Sequence, residues 1–415
     1  MQTGRNDRDS VKTAAEPQNE VFMDRVKIFN GKIITPYRVI ERGTIVIENG
    51  IIACVSGGAV TAGDAFEINA NGNYVAPGFI DIHTHGAGGY DFMDATAEAY
   101  LGAAEVHAQY GTTSIVPTTL TCTNDELQQS FEAFRKAKSI NSKGAGLIGI
   151  HLEGPYFSPE QKGAQDPRYI RKPLKEEYER IFEWSDDIVR WSAAPEIEGA
   201  MEFCRYARKK GVLMSIGHSD AIGEEVAEAF ENGFTHVTHL YSAMSGVKRI
   251  NGRRVSGVIE SAFLIDEMTV EVIADGIHIP PDLLKLVYKI KGPSRTVLVT
   301  DSMRAAGMGE GPSILGSLES GMEVIVEDGV AKLPDRKAFA GSVATADRLV
   351  RTMVKSAGVP LVDAIRMITA TPAKVMGIDD KKGSLAAGKA ADIVIFDPDI
   401  NILTTIVKGK TVYSA

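Results

Sequence analysis

The chain has 415 residues, 44% of them hydrophobic, and a formal net charge of -9. That size suits one barrel-sized domain with a smaller companion, or two ordinary domains, and the negative balance argues against nucleic acid or an anionic membrane as the main partner. The three cysteines, Cys54, Cys122 and Cys204, lack the paired spacing of a disulfide framework or a thiolate metal site and read as small buried hydrophobes.

Residues 1–20 are polar, with no apolar leader, and no later stretch is long enough to span a bilayer; a disordered tail on a cytoplasmic enzyme is expected. From Val21 the chain alternates as strands do. Two Asn-Gly pairs, in VKIFNGKIIT and TIVIENGIIACV, stand where tight hairpin turns are expected. The same texture returns in ADIVIFDPD and ILTTIVKGKTVYSA, so residues 21–76 and 383–415 are expected to build one small β-domain together.

Between these ends, eight apolar β-rich runs alternate with polar-faced helical stretches. They are YVAPGFIDIHTH, TSIVPTTL, GLIGIHLEG, DIVRWSAAPE, GVLMSIGHS, HVTHLY, TVEVIADGIH and TVLVTDS. Eight such units predict an α/β fold, a (β/α)8 TIM-type barrel over residues 77–382. A doubly wound open sheet fits less well, because no Gly-x-Gly-x-x-Gly follows the first run. Helices are expected at Ala95–Tyr110, Asn124–Ala137 and Gly223–Asn232. A hairpin, EVIVEDGVAKL, follows the eighth run, and helices are expected over Ser342–Ser356 and Leu361–Met376.

Residues capable of chemistry gather at the carboxyl ends of the runs, the face on which barrel enzymes place their sites. GFIDIHTHGAGG puts His83 and His85 on one face of the first strand, since positions i and i+2 project together. Glu153 ends the third run, His218 the fifth, His239 the sixth and Asp301 the eighth, while His278 follows the seventh. Taken singly, each reads as a satisfied core residue or a helix cap. Seven together in a dry barrel mouth would be costly without a cation, and imidazoles with carboxylates suit a divalent metal, zinc foremost, with iron or manganese as alternatives. His107 and His236 are assigned to structure, and His151, two positions before Glu153, to a supporting layer.

In order, GFIDIHTHG, HLEGPYFSPEQKGAQDP, GHSDA, THLYSAM, IADGIH, VTDSMRAAG, AGS and GSLAAGKAADIVIFD resemble the motifs of the N-acetylglucosamine-6-phosphate deacetylase family of the amidohydrolase superfamily, over residues 22–415. The resemblance implies a (β/α)8 barrel beside a small β-sandwich formed by both chain ends, as a homodimer. It implies Glu153, His218 and His239 as ligands of the principal metal. His83 and His85 match a pair that supports a second ion in many members, so one or two ions are implied.

Asp301 matches the general base and acid, which takes a proton from the attacking water and passes it to the departing amine. The implied substrate is a small amino sugar phosphate, N-acetylglucosamine 6-phosphate, giving glucosamine 6-phosphate and acetate. Gln165, Ser242, Ala243, Arg253 and His278 match substrate contacts, with Arg253 offering a guanidinium fork to phosphate.

Two of these depart from the family pattern. Ser242 stands where Asn is common, and Gln165 where some relatives carry a histidine; an amide donates a hydrogen bond but brings no positive charge. An N-acetylgalactosamine 6-phosphate or other acetamido sugar deacetylase is the nearest alternative. A cyclic-amide hydrolase or base deaminase fits less well, because the former typically needs a carboxylated lysine at a strand end and the fourth run closes in Ala193-Ala194-Pro195-Glu196. A non-catalytic scaffold would have no use for ligands and a proton shuttle together.

Overall fold

The eight apolar runs form a ring of parallel strands in a computed structural model that describes residues 25–415; the tail expected over residues 1–20, and the start of the β-region at Val21, lie outside the described residues. The barrel strands are Phe79–Thr84, Thr112–Thr119, Ile150–Glu153, Ile188–Ala193, Leu213–Ile216, Phe234–Val237, Thr269–Ile273 and Thr296–Val299. Each pairs in parallel with the next. All eight residues of the second strand are buried, as expected when helices cover a parallel sheet.

Between the eighth strand and the first, the ladder gives way to local links. Among them, the backbone N–H of Asp301 donates to the carbonyl of His83 at 2.9 Å, and the Asp81 carboxylate accepts from the backbone N–H and hydroxyl of Thr300. This seam lies directly under the residues singled out for chemistry.

Helices Ala97–Gln109 and Asn124–Ile140 cover the early strands and begin at capping threonines. Thr123 and Glu126 form a reciprocal capping box, satisfying donors that the first helical turn would leave unpaired. Tyr100, Phe131 and Phe134 from these helices join Trp191 and Phe203 in the main core. Gly223–Asn232 is helical as expected and stops at Gly233, whose φ of 116° few other residues adopt.

The two Asn-Gly pairs behave differently. Asn49-Gly50 turns the chain between strands Val39–Glu48 and Ile51–Ser56, with φ of 51° and 76°, as a two-residue hairpin requires. Asn30-Gly31 makes no turn. Strand Arg25–Ile34 runs through it, with a register shift between Ile28 and Gly31, because its later residues pair with Tyr74 and Val75. The preference for a turn is spent on a bulge, and Gly31 is needed there since a Cβ would come within 2.5 Å of Val75 Cγ2.

Both chain ends share one eight-stranded sheet, in which Tyr74–Pro77 lies between Arg25–Ile34 and Ile393–Phe396. The sheet closes as a sandwich over a separate core that includes Ile28, Ile45, Ile47, Val75, Ile393 and Ile406. The expected hairpin after the eighth barrel strand is a three-stranded antiparallel sheet of Gly311–Leu315, Met322–Glu327 and Val330–Lys332.

Two later helices differ from what the periodicity suggests: the first starts late and reaches the expected Ser356 only through a π-helical turn over Thr352–Ser356, and the second is split. Ala346–Arg351 starts after Thr345 because Ser342 bridges to Ser302 and holds the preceding residues extended. The stretch from Leu361 to Met376 splits at Thr369, where φ and ψ are −130° and −80°. Pro372 explains the split: it has no N–H to donate, and its ring would meet the carbonyl four residues back. No helix among the described residues is long and apolar enough to cross a membrane.

Candidate metal centre

Six of the residues singled out above meet at the carboxyl rim of the barrel. Glu153 is central. Its Oε1 lies 3.0 Å from His239 Nε2, 3.3 Å from His83 Nε2 and 3.4 Å from His218 Nε2, and its Oε2 lies 3.4 Å from His85 Nε2. Asp301 Oδ1 faces His83 Nε2 at 3.3 Å and His85 Nε2 at 3.1 Å. The ligating atoms fall into two groups, His83 with His85 and Glu153, and Glu153 with His218 and His239; within each they lie within 4.8 Å of one another.

Local backbone geometry aims these groups. His218, His239 and Asp301 each lie two residues past the end of a strand and have positive φ, 48°, 28° and 46°. Such conformations cost about 1–3 kcal/mol each for residues other than glycine and persist where the surroundings enforce them. Gly217 meets one demand, because a Cβ there would sit 3.0 Å from Thr238 Cβ.

The donor set fits a divalent cation. His218 commits Nδ1–H to the carbonyl of Gln161 at 2.9 Å, so its Nε2 presents a lone pair, and that atom lies 3.2 Å from His239 Nε2. Buried His83 Nε2, His85 Nδ1 and His239 Nδ1 have no hydrogen-bond partner. Lone pairs and carboxylate oxygens crowded this closely in a buried site repel unless a cation lies among them.

The same groups also hold one another's charge. Burial pushes Glu153 upward, but the histidines packed around it, His83 foremost, hold its carboxyl well below the usual range. Asp301 is likewise raised by burial and lowered more strongly by His83 and His85. Burial works against the charged form of His85, yet Asp301 and Glu153 raise it to about 9.

Above the cluster opens a cavity of about 410 Å³, within the range of small-molecule sites. Gln165, Ser242, Ala243 and His278 line it. His278 is held by Asp275, whose Oδ2 accepts from Nδ1 at 2.7 Å. Gln165 reaches the centre itself: its Nε2 donates to Glu153 Oε2 at 2.8 Å. Arg253 stands apart from the other expected substrate contacts, on the exposed hairpin of Lys248–Ile250 and Arg253–Val255 and outside the cavity lining.

His107 and His236 are buried in hydrogen bonds to Thr84 and Thr269, and His151 packs edge-on against the His83 ring at 4.8 Å. Sequence reasoning did not single out Phe339, which lines the cavity and packs on His278 at 4.7 Å, nor Arg190 and Glu271 beneath the cluster. Glu271 did carry a signal, as an acid inside the apolar run TVEVIADGIH.

The sequence pattern of the amidohydrolase family matches residues 74–412. The chain belongs to the amidohydrolase family. Among named amidohydrolases it is 35% identical to an N-acetylglucosamine-6-phosphate deacetylase of Bacillus subtilis, over 92% of this chain and 95% of that one. It is 32% identical to an N-acetylgalactosamine-6-phosphate deacetylase of Escherichia coli O157:H7, over 88% and 93%. The crystal structure of the N-acetylglucosamine-6-phosphate deacetylase from Pasteurella multocida superposes with a TM-score of 0.87 at 29% identity, covering 94% of this amidohydrolase and 100% of that chain. These relatives are hydrolases of amide bonds, and the buried His/Glu cluster of this chain has the donor set of a divalent metal site.

Proposed function

We propose that the chain removes the acetyl group of N-acetylglucosamine 6-phosphate, releasing glucosamine 6-phosphate and acetate. The observation that carries this reading is the convergence of His218, His239 and His83 Nε2 on Glu153 Oε1, with Asp301 facing the same cluster. The similarity to named deacetylases over most of the chain supports the substrate.

Glu153, His218 and His239 would hold the principal ion, and His83, His85 and Glu153 a second, with zinc as the expected metal. When bound, the metal polarises the acetyl oxygen and acidifies the attacking water. Asp301 then does the proton work. Its carboxylate takes the proton from the water and delivers it to the departing nitrogen, which would otherwise have to leave as an unfavourable amide anion.

His278, backed by Asp275, offers Nε2 to the sugar, and Ser242 and Ala243 offer donors at the cavity wall. Arg253, on its exposed hairpin, suits the phosphate of a substrate in a homodimer. Residues 77–382 form the catalytic barrel in this reading, the two chain ends form the companion domain, and the enzyme works in the cytoplasm.

The test is direct. Purified protein is assayed for bound metal and for acetate release from the 6-phosphates of N-acetylglucosamine and N-acetylgalactosamine and from the unphosphorylated sugars. Fastest release from N-acetylglucosamine 6-phosphate is expected. Preference for the galactosamine derivative would move the assignment to that substrate, and no release from any would overturn the reading.

A further inference from the structure

Two charged side chains beneath the metal cluster have no exposed surface at all, Arg190 on the fourth barrel strand and Glu271 on the seventh. Glu271 Oε1 accepts from His83 Nδ1–H at 2.6 Å and from the backbone N–H of His239 at 2.9 Å. Its Oε2 receives Arg190 Nη1 at 2.6 Å. Arg190 reaches further: Nη1 donates to the carbonyl of Ile82 at 3.1 Å, Nη2 to Thr238 Oγ1 at 3.0 Å and Nε to Ser215 Oγ at 3.1 Å.

Ile82 and Thr238 immediately precede His83 and His239. The pair therefore grips the ring of one ligand candidate, the backbone of another, and the residue before each. Barrel interiors are ordinarily filled by layers of branched apolar side chains. A buried ion pair is seldom more stabilising than well-packed apolar residues of the same volume, so stability alone does not account for this one.

We propose that Glu271, anchored by Arg190, is a positioning residue for metal binding: it keeps the His83 proton on Nδ1, turning the Nε2 lone pair toward Glu153 and Asp301, and pins His239 in its left-handed backbone conformation. The proposal rests on the metal-dependent reading above. One carboxylate braces a ligand from each of the two groups, so its loss weakens both. A carboxylate behind a ligating histidine fixes its tautomer and raises its basicity, and removing such a partner typically costs about 10–100-fold in metal affinity.

The experiment titrates zinc into the metal-free native chain and the Glu271→Gln variant, with a chelator as competitor and at a temperature where both are folded. In parallel, the His83 ring is observed by nitrogen-15 NMR in the zinc-loaded native chain, which requires no variant to fold. A drop in zinc affinity of about 10–100-fold in Glu271→Gln, with His83 protonated at Nδ1 in the native chain, is the expected result. Equal affinity in the two proteins, or a native His83 protonated at Nε2, would overturn the brace and leave the functional reading standing. A native chain that binds no zinc or other divalent ion would overturn both.

Discussion

Gln165 is a strut between the cavity wall and Glu153: its Nε2 donates to Glu153 Oε2 at 2.8 Å while its Oε1 accepts from the Thr121 backbone N–H at 2.9 Å. The amide thereby shares Oε2 with His85 and leaves Oε1 to His83, His218 and His239. Replacing Gln165 with Ala should weaken metal retention and lower turnover, each by about 10–100-fold. Chelator competition and acetate release measure the two effects, and a variant indistinguishable from the native chain in both would remove Gln165 from the site.

Asp301 lies against His83 and His85 and belongs to neither group of three ligand candidates. Asp301→Asn keeps the shape and loses the proton acceptor, so turnover should fall by about 10²–10⁴-fold while the ion held by Glu153, His218 and His239 stays bound. The check is acetate release alongside metal analysis of the same sample. Full activity in the variant would refute the proton role.

Glu153 belongs to both groups, whereas His83 and His85 belong to one. Replacing both histidines with Ala should reduce the metal content per chain and leave a residual ion, while Glu153→Gln should release all of it. Metal analysis after dialysis against a weak chelator distinguishes these outcomes. Equal losses from the two variants would show that the groups do not bind separately.

His107 makes a prediction about acid stability. It is buried with Nε2 2.9 Å from Thr84 Oγ1, and burial pushes its pKa down to about 4. Above pH 6.5 the ring is neutral whether the chain is folded or not. Between about pH 6.5 and 4 the unfolded chain takes up a proton that the folded chain refuses, so stability falls as pH falls, by up to about 3 kcal/mol below that window. Thermal melts from pH 7 to pH 4 should therefore decline less steeply in His107→Gln than in the native chain. Parallel declines would show that other groups dominate.

The barrel was legible because each parallel strand is buried on both faces and so reads as an unbroken apolar run. The His83 and His85 pair was legible because polar residues ending such a run have few places to go except the rim. Glu271 escaped notice for the opposite reason. It lies inside its run, and nothing local reveals the Arg190 that neutralises it from a strand some eighty residues earlier. The Asn30-Gly31 turn failed on long-range pairing with Tyr74 and Val75, which a local preference cannot anticipate. Phe339 lies in a loop after the inserted three-stranded sheet, where no periodicity predicts that a single aromatic folds back over His278.

The placement of strand Tyr74–Pro77 between Arg25–Ile34 and Ile393–Phe396 sets an order of events during vectorial synthesis. That strand emerges with one side filled early and the other bare until the whole barrel and then Ile393–Phe396 have been made. An unfilled strand edge is a template for intermolecular pairing. A ribosome that stalls inside the barrel thus leaves a sticky nascent product, and the last strands act as the clasp that retires the hazard.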